Sequence, residues 1–134
     1  MTVRIYKEVE FDASHRLLQY EGKCHNLHGH RFRVEVWIEG VPDPGSCILL
    51  DYARIKQVVH RFDHQIILNA ADPMVTAIEA FHPVVVTGGD PTSELLARII
   101  ADDLDAECRA AGVDARVTRI RVWESPNACA ELDR

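Results

Sequence analysis

The sequence has no long hydrophobic run. Uncharged stretches such as Gln65 to Ala71 and Phe81 to Gly89 fall far short of the roughly 20 apolar residues that a membrane span requires, so a helical membrane protein is excluded. The opening Met1-Thr-Val-Arg-Ile-Tyr-Lys-Glu lacks the apolar core of a signal peptide, and the expected location is the cytoplasm. Positive charge is scarce: 15 Lys and Arg stand against 21 Asp and Glu, a net charge of -6. A field of that sign repels nucleic acid and anionic membranes, and neither is an expected partner. No C-x-x-C pair occurs among Cys24, Cys47, Cys108 and Cys129, and a disulfide framework is not expected. Low-complexity segments and fixed-period repeats are missing too.

What is present is ordinary globular material plus histidine. The 134 residues are 47% hydrophobic and 27% charged, which suits one domain over residues 1–134. Val3, Ile5, Val9, Phe11 and Ala13 alternate toward His15, the period of a half-buried strand. Phe32, Val34, Val36 and Ile38 alternate with charged residues in a second strand, and His28 and His30 share its apolar parity. Asp51 is placed as the N-cap of a helix over 51–62. Residues 65–90 read mostly as loop, with one short strand at Val84–Thr87. A second helix starts near Asp90-Pro91, capped by Asp90 or Thr92, and ends at Gly112. A strand over about Arg116 to Glu124 and a short return at 128–132 complete an α+β order.

Seven histidines are many for this length, and three lie in Cys24-His25-Asn26-Leu27-His28-Gly29-His30. On a strand, His28 and His30 project from one face, and His15 at the end of an antiparallel neighbour comes opposite them. Three neutral imidazoles without a thiolate suit zinc with an open position. Cys24 can approach that open side as base or nucleophile, or serve as a zinc ligand or an inert thiol. Cys47, Cys108 and Cys129 read as small packing residues. Asp63-His64 suits either an acid/base pair or a helix C-cap. Glu124, an acid on an apolar strand face, suits either a bidentate contact to a heterocycle edge or an exposed strand end.

Taken together, Phe11-Asp-Ala-Ser-His15, Lys23-Cys24-His-Asn-Leu-His28-Gly-His30, Asp63-His64 with Leu68-Asn69, Pro91-Thr92-Ser93-Glu94 and Trp123-Glu124 resemble the 6-pyruvoyl-tetrahydropterin synthase family over nearly the whole chain. The four-residue step from Cys24 to His28 resembles its 6-carboxy-tetrahydropterin synthase branch, of queuosine biosynthesis. The resemblance implies a tunnelling fold: a four-stranded antiparallel sheet with two helices on one face, closing into a β-barrel in a homo-oligomer, commonly a hexamer of two trimers with sites at subunit interfaces. It implies that His15, His28 and His30 bind zinc, that Cys24 moves substrate protons, and that Asp63 and His64 form the relay. Glu124 would anchor the pterin and join the relay, and Thr92 and Ser93 would cradle the ring.

The implied reaction converts 7,8-dihydroneopterin triphosphate to 6-carboxy-5,6,7,8-tetrahydropterin, releasing acetaldehyde and triphosphate. Lys23, Arg16 or a neighbouring subunit would supply cations for the triphosphate. Phe62 before Asp-His, Asp90 before Pro-Thr, and Ala130-Glu131-Leu132 depart from the family pattern and leave a pyruvoyl product, an epimer or another pterin derivative open. A non-catalytic metal- or pterin-binding module is the reading from another class.

Overall fold

Period-two alternation builds the long ribbon that carries the site. In the computed structural model, which describes residues Met1 to Arg134, β1 (Val3–His15) pairs antiparallel with β2 (His28–Val41), from Val3 opposite Gly40 to His15 opposite His28. This register stacks Phe11 on Phe32, with ring centroids 4.9 Å apart, on the apolar face. On the other face it sets Asp12 beside Arg31 and Arg4 beside Glu39, both hydrogen-bonded ion pairs. A slip of one residue would exchange the two faces, so burial of one of them holds the register.

β5 (Asp114–Ser125) joins the far side of β2, and β6 (Ala128–Asp133) joins β5, both antiparallel. The β2–β5 register shifts so that Trp37 faces Arg119 while Ile38 faces Val117. The extra residue at Thr118 lets Val117 and Ile120 share the buried face despite their odd spacing.

The sheet has six strands, not four, in the order β4-β3-β1-β2-β5-β6. β3 (Gln65–Asn69) runs parallel to β1, and β4 (Val84–Thr87) parallel to β3. The antiparallel sheet expected from the sequence is therefore the larger part of a mixed sheet. Within the stretch that reads mostly as loop, the sequence predicts only the strand at 84–87. Ile67 and Leu68 are consecutive and both fully buried, so β3 has no alternation to reveal it. The short helix α2 (Met74–Glu79) that links β3 to β4 has no buried residue and hence no apolar stripe to be read.

Two helices pack on the apolar face. α1 (Tyr52–Val59) starts at Asp51, whose carboxylate accepts from Ala53 N–H at 2.8 Å, and a 3₁₀ turn (His60–Phe62) continues it. α3 (Ser93–Ala110) is capped by Thr92, whose hydroxyl oxygen accepts from Leu95 N–H at 3.1 Å. It ends with Gly112 at φ 69, with Val113 N–H on the Cys108 carbonyl and Gly112 N–H on that of Arg109. Ile55, Val59, Phe62, Leu96, Ile100 and Leu104 are fully buried and share one core with Val34, Val36, Ile38, Ile120 and Val122. Each such side chain contributes about 1.5–3 kcal/mol on burial.

All four cysteines are free; only Cys108 packs in the core, whereas Cys47 and Cys129 are exposed. The packing role expected for those two does not hold, because Cys47 sits in a turn at φ 62 and β6 is an edge strand. No helix is long and apolar enough to cross a membrane.

Candidate functional site

At the end of the β1–β2 ribbon, three imidazoles meet. His15 closes β1 and is 1% exposed; His28 opens β2 directly opposite, and His30 follows on the same parity. The ring centroids lie 4.7 Å (His15–His28), 5.2 Å (His15–His30) and 4.8 Å (His28–His30) apart. One ring nitrogen from each falls within 4.8 Å of the others. Phe32 forms an apolar floor, edge-on to both His15 and His30 at 5.5 Å.

Backbone carbonyls orient two of the rings. His15 Nδ1 lies 2.7 Å from the Pro91 carbonyl, and His28 Nδ1 lies 2.6 Å from that of Asn26. A carbonyl only accepts, so each Nδ1 carries the proton and each Nε2 keeps its lone pair for an ion. Burial is the main cause that pushes the His15 pKa down to about 4, opposed by the Pro91 contact and reinforced by His28 and His30. Burial likewise lowers that of His30. Neutral imidazole is the form that binds a metal, and the donor set fits one.

Glu124 comes to the same place. Its Oε1 is 3.9 Å from His15 Nε2 and its side chain is one-third exposed, at the point where the β5–β6 register shifts. Cys24 lies half-buried in a 3₁₀ turn (Lys23–His25) between β1 and β2, with its carbonyl accepting from Leu17 N–H at 3.0 Å. Its thiol is not part of the three-histidine cluster. Thr92 and Ser93 follow directly on Pro91, whose carbonyl meets His15. Thr92 is occupied as the α3 cap, and the Ser93 hydroxyl donates to Glu94 at 2.9 Å. Asp90, the other cap candidate from the sequence, instead accepts from Leu18, Gln19 and Asn69.

The Asp63-His64 pair forms, with His64 Nδ1 3.0 Å from Asp63 Oδ2. Asp12 N–H on Asp63 Oδ1 is the leading cause that holds the Asp63 carboxyl below the usual range. The C-caps fall on His60 and Asp63, not on His64. His64 has φ 59, its side chain is 79% exposed, and it opens on a groove that includes Asp12, Ser14, Arg31 and also His30 of the cluster. Asp12, Ser14 and Arg31 have the strand parity opposite to that of the histidine cluster, whereas Ala13 and His30 share its parity. No hydrogen bond links His64 to Cys24 or Glu124; its ring pairs with its own Asp63.

Arg16 is not available to a triphosphate, since its guanidinium is clamped on the fully buried carboxylate of Asp72. Sequence reasoning missed this pair, as well as the Pro91 and Asn26 carbonyls. Backbone carbonyls leave no residue-type signal, and the partner of Arg16 lies 56 residues away.

Residues 4–134 match the profile of the 6-pyruvoyl tetrahydropterin synthase family. The chain belongs to this family. A Pyrococcus abyssi protein, provisionally named a 6-carboxy-5,6,7,8-tetrahydropterin synthase, is 34% identical over 96% of this chain and 88% of its own. The 6-carboxy-5,6,7,8-tetrahydropterin synthase of Rickettsia felis is 28% identical over 97% of this chain and 99% of its own. Among solved structures, the Caenorhabditis elegans 6-pyruvoyl tetrahydropterin synthase superposes with a TM-score of 0.66 at 23% identity, covering 100% of this chain and 96% of its own. A Plasmodium vivax 6-pyruvoyltetrahydropterin synthase altered at a catalytic residue gives 0.72 at 18% identity, covering 100% and 98%. The architecture is thus the α+β tunnelling fold of the 6-pyruvoyl tetrahydropterin synthase family, and the chain is a pterin-lyase-type enzyme of that family, with several relatives named for the 6-carboxy reaction.

Proposed function

We propose that this enzyme converts 7,8-dihydroneopterin triphosphate to 6-carboxy-5,6,7,8-tetrahydropterin with release of acetaldehyde and triphosphate, the step used in queuosine biosynthesis. The observation that carries the reading is the convergence of His15, His28 and His30 beside Glu124 at the end of one β-ribbon.

His15, His28 and His30 would hold the metal, which we take to be zinc from the all-imidazole donor set. When bound, zinc supplies Lewis-acid polarisation of the substrate's side-chain hydroxyls. Glu124 accepts hydrogen bonds from the N–H edge of the pterin, a charge-assisted contact suited to a carboxylate with one-third of its side chain open. Thr92 and Ser93, fixed at the start of α3, border the ring. Cys24 takes and returns substrate protons as the general base. Asp63 holds Nδ1 of His64, which leaves His64 Nε2 to give or receive a proton.

Within one chain the Asp63-His64 pair makes no hydrogen bond to Cys24 or Glu124, and we read the relay as serving a cluster on a neighbouring copy. This supports a homo-oligomer with shared sites, which we take to be a hexamer of two trimers located in the cytoplasm. The sheet edges β4 and β6 offer unpaired backbone groups for strand pairing between copies.

The test is incubation of the zinc-loaded protein with dihydroneopterin triphosphate and identification of products by mass spectrometry. Acetaldehyde and the carboxy product are expected. A pyruvoyl product or an epimer would move the enzyme to another branch of the family, and bound but unchanged substrate would reduce it to a binding module.

A further inference from the structure

The turn that carries Cys24 is held through Leu17. Leu17 N–H donates to the Cys24 carbonyl at 3.0 Å, and the Leu17 carbonyl accepts from His25 Nδ1 at 3.2 Å. Leu17 therefore grips two of the three residues of the turn, and whatever fixes Leu17 fixes the backbone that carries the thiol.

Leu17 is fixed by residues distant in sequence. On its C-terminal flank, Leu18 N–H donates to Asp90 Oδ1 at 2.9 Å and Gln19 N–H donates to Asp90 Oδ2 at 2.8 Å. Asn69, at the end of β3, donates from Nδ2 to Asp90 Oδ1 at 3.0 Å, while its own Oδ1 accepts from Ala71 N–H at 3.0 Å. On the N-terminal flank, Arg16 is clamped by Asp72.

Asp90 thus receives three N–H donors, and the two backbone donors address different oxygens. Only a carboxylate satisfies both, because a carboxamide would set an NH₂ group against one of the two N–H groups. The next residue, Pro91, supplies the carbonyl that orients His15. Two consecutive residues of the β4–α3 connection therefore serve the histidine cluster and the thiol by separate contacts.

We propose that Asp90 is a positioning residue for Cys24: its carboxylate pins Leu18 and Gln19, and through Leu17 it sets where the Cys24 turn stands. The assignment rests on the reading of Cys24 as the working thiol, although the hydrogen-bond chain itself does not. Asp72 is a parallel anchor that acts through a long side chain, so Asp90 is the sharper place to test.

The experiment compares wild type, Asp90→Asn and Asp90→Ala as full-length, zinc-loaded protein. The first readout is the alkylation rate of Cys24 by iodoacetamide, resolved by peptide mass spectrometry against the exposed Cys47 as internal reference. The second is turnover, separated into kcat and KM, with metal content measured in parallel.

Loosening the turn is expected to raise the Cys24-to-Cys47 rate ratio several-fold in Asp90→Ala. It is also expected to lower kcat by up to about 100-fold, the scale for misplacing a reacting group by about 1 Å, with KM and zinc content unchanged. Asp90→Asn, which keeps the shape and loses one acceptor, should fall between the two and remains informative if Asp90→Ala does not fold. An unchanged ratio in Asp90→Asn and in any folded Asp90→Ala overturns the proposal. So does a loss of zinc with the ratio unchanged, since Asp90 would then serve Pro91 and the histidines instead. If Cys24→Ala keeps full turnover, the thiol reading fails by itself, and the alkylation ratio still judges the hold of Asp90 on the turn.

Discussion

At His28 the ring is partly exposed and its Nδ1 is held by a local carbonyl, so its removal takes away one imidazole without opening the core. His28→Ala is expected to drop zinc content well below one per chain, measured by elemental analysis, while the thermal midpoint stays near wild type. Zinc remaining at one per chain would remove His28 from the ligand set. Cys24→Ala should do the converse, retaining zinc and reducing turnover by about 10²–10⁴-fold, the usual contribution of a positioned acid or base. The histidine cluster was legible in the sequence because strand parity puts His28 and His30 on one face and antiparallel pairing of adjoining strands brings His15 opposite them. The orientation of His64 was not, since nothing in Asp63-His64 signals a left-handed backbone at His64.

Elements were legible in proportion to their periodicity. β1, β2, α1 and α3 each expose one face and bury the other, and their alternating or helical stripes show it. β3 is buried on consecutive residues and α2 on none, and neither pattern has a period to detect. The β3–α2 corner nevertheless carries the Asp72 carboxylate that clamps Arg16 directly after His15. Arg16 is the leading cause that lowers the Asp72 pKa below its ordinary 3.8. A depressed carboxylate contributes stability that is complete above its unfolded pKa and is lost as pH falls through the folded one. Asp72→Asn should therefore cost on the order of 3 kcal/mol at pH 7, as for breaking a buried pair. Wild type and variant urea midpoints should converge as pH drops below 3.8.

For the whole molecule, the deciding relation is between the two faces of the sheet. One carries the helices and, at its end, the three histidines; the other carries cross-strand ion pairs such as Arg119–Asp133 and Arg4–Glu39. His64 makes no hydrogen bond to Cys24 or Glu124 within one chain, so a shared site predicts complementation. Mixing Cys24→Ala chains with His64→Ala chains, after dissociation and reassembly, is expected to restore part of the activity that each lacks alone. Mixtures that stay inactive, although sedimentation shows mixed oligomers, would place both groups in one subunit's site.

The amino-acid sequence by itself determined the β1–β2 ribbon, the two packed helices and the histidine cluster, because each follows from local period and from pairing between strands that adjoin along the chain. Only the tertiary structure decided that β3 and β4 extend the sheet in parallel, that Asp90 holds the thiol's loop instead of capping α3, and that Arg16 is taken up by Asp72. The β1–β3 pairing and the Arg16 and Asp90 contacts join residues more than fifty positions apart. Their formation depends on how the chain closes on itself in three dimensions, and neighbouring residues carry no trace of it.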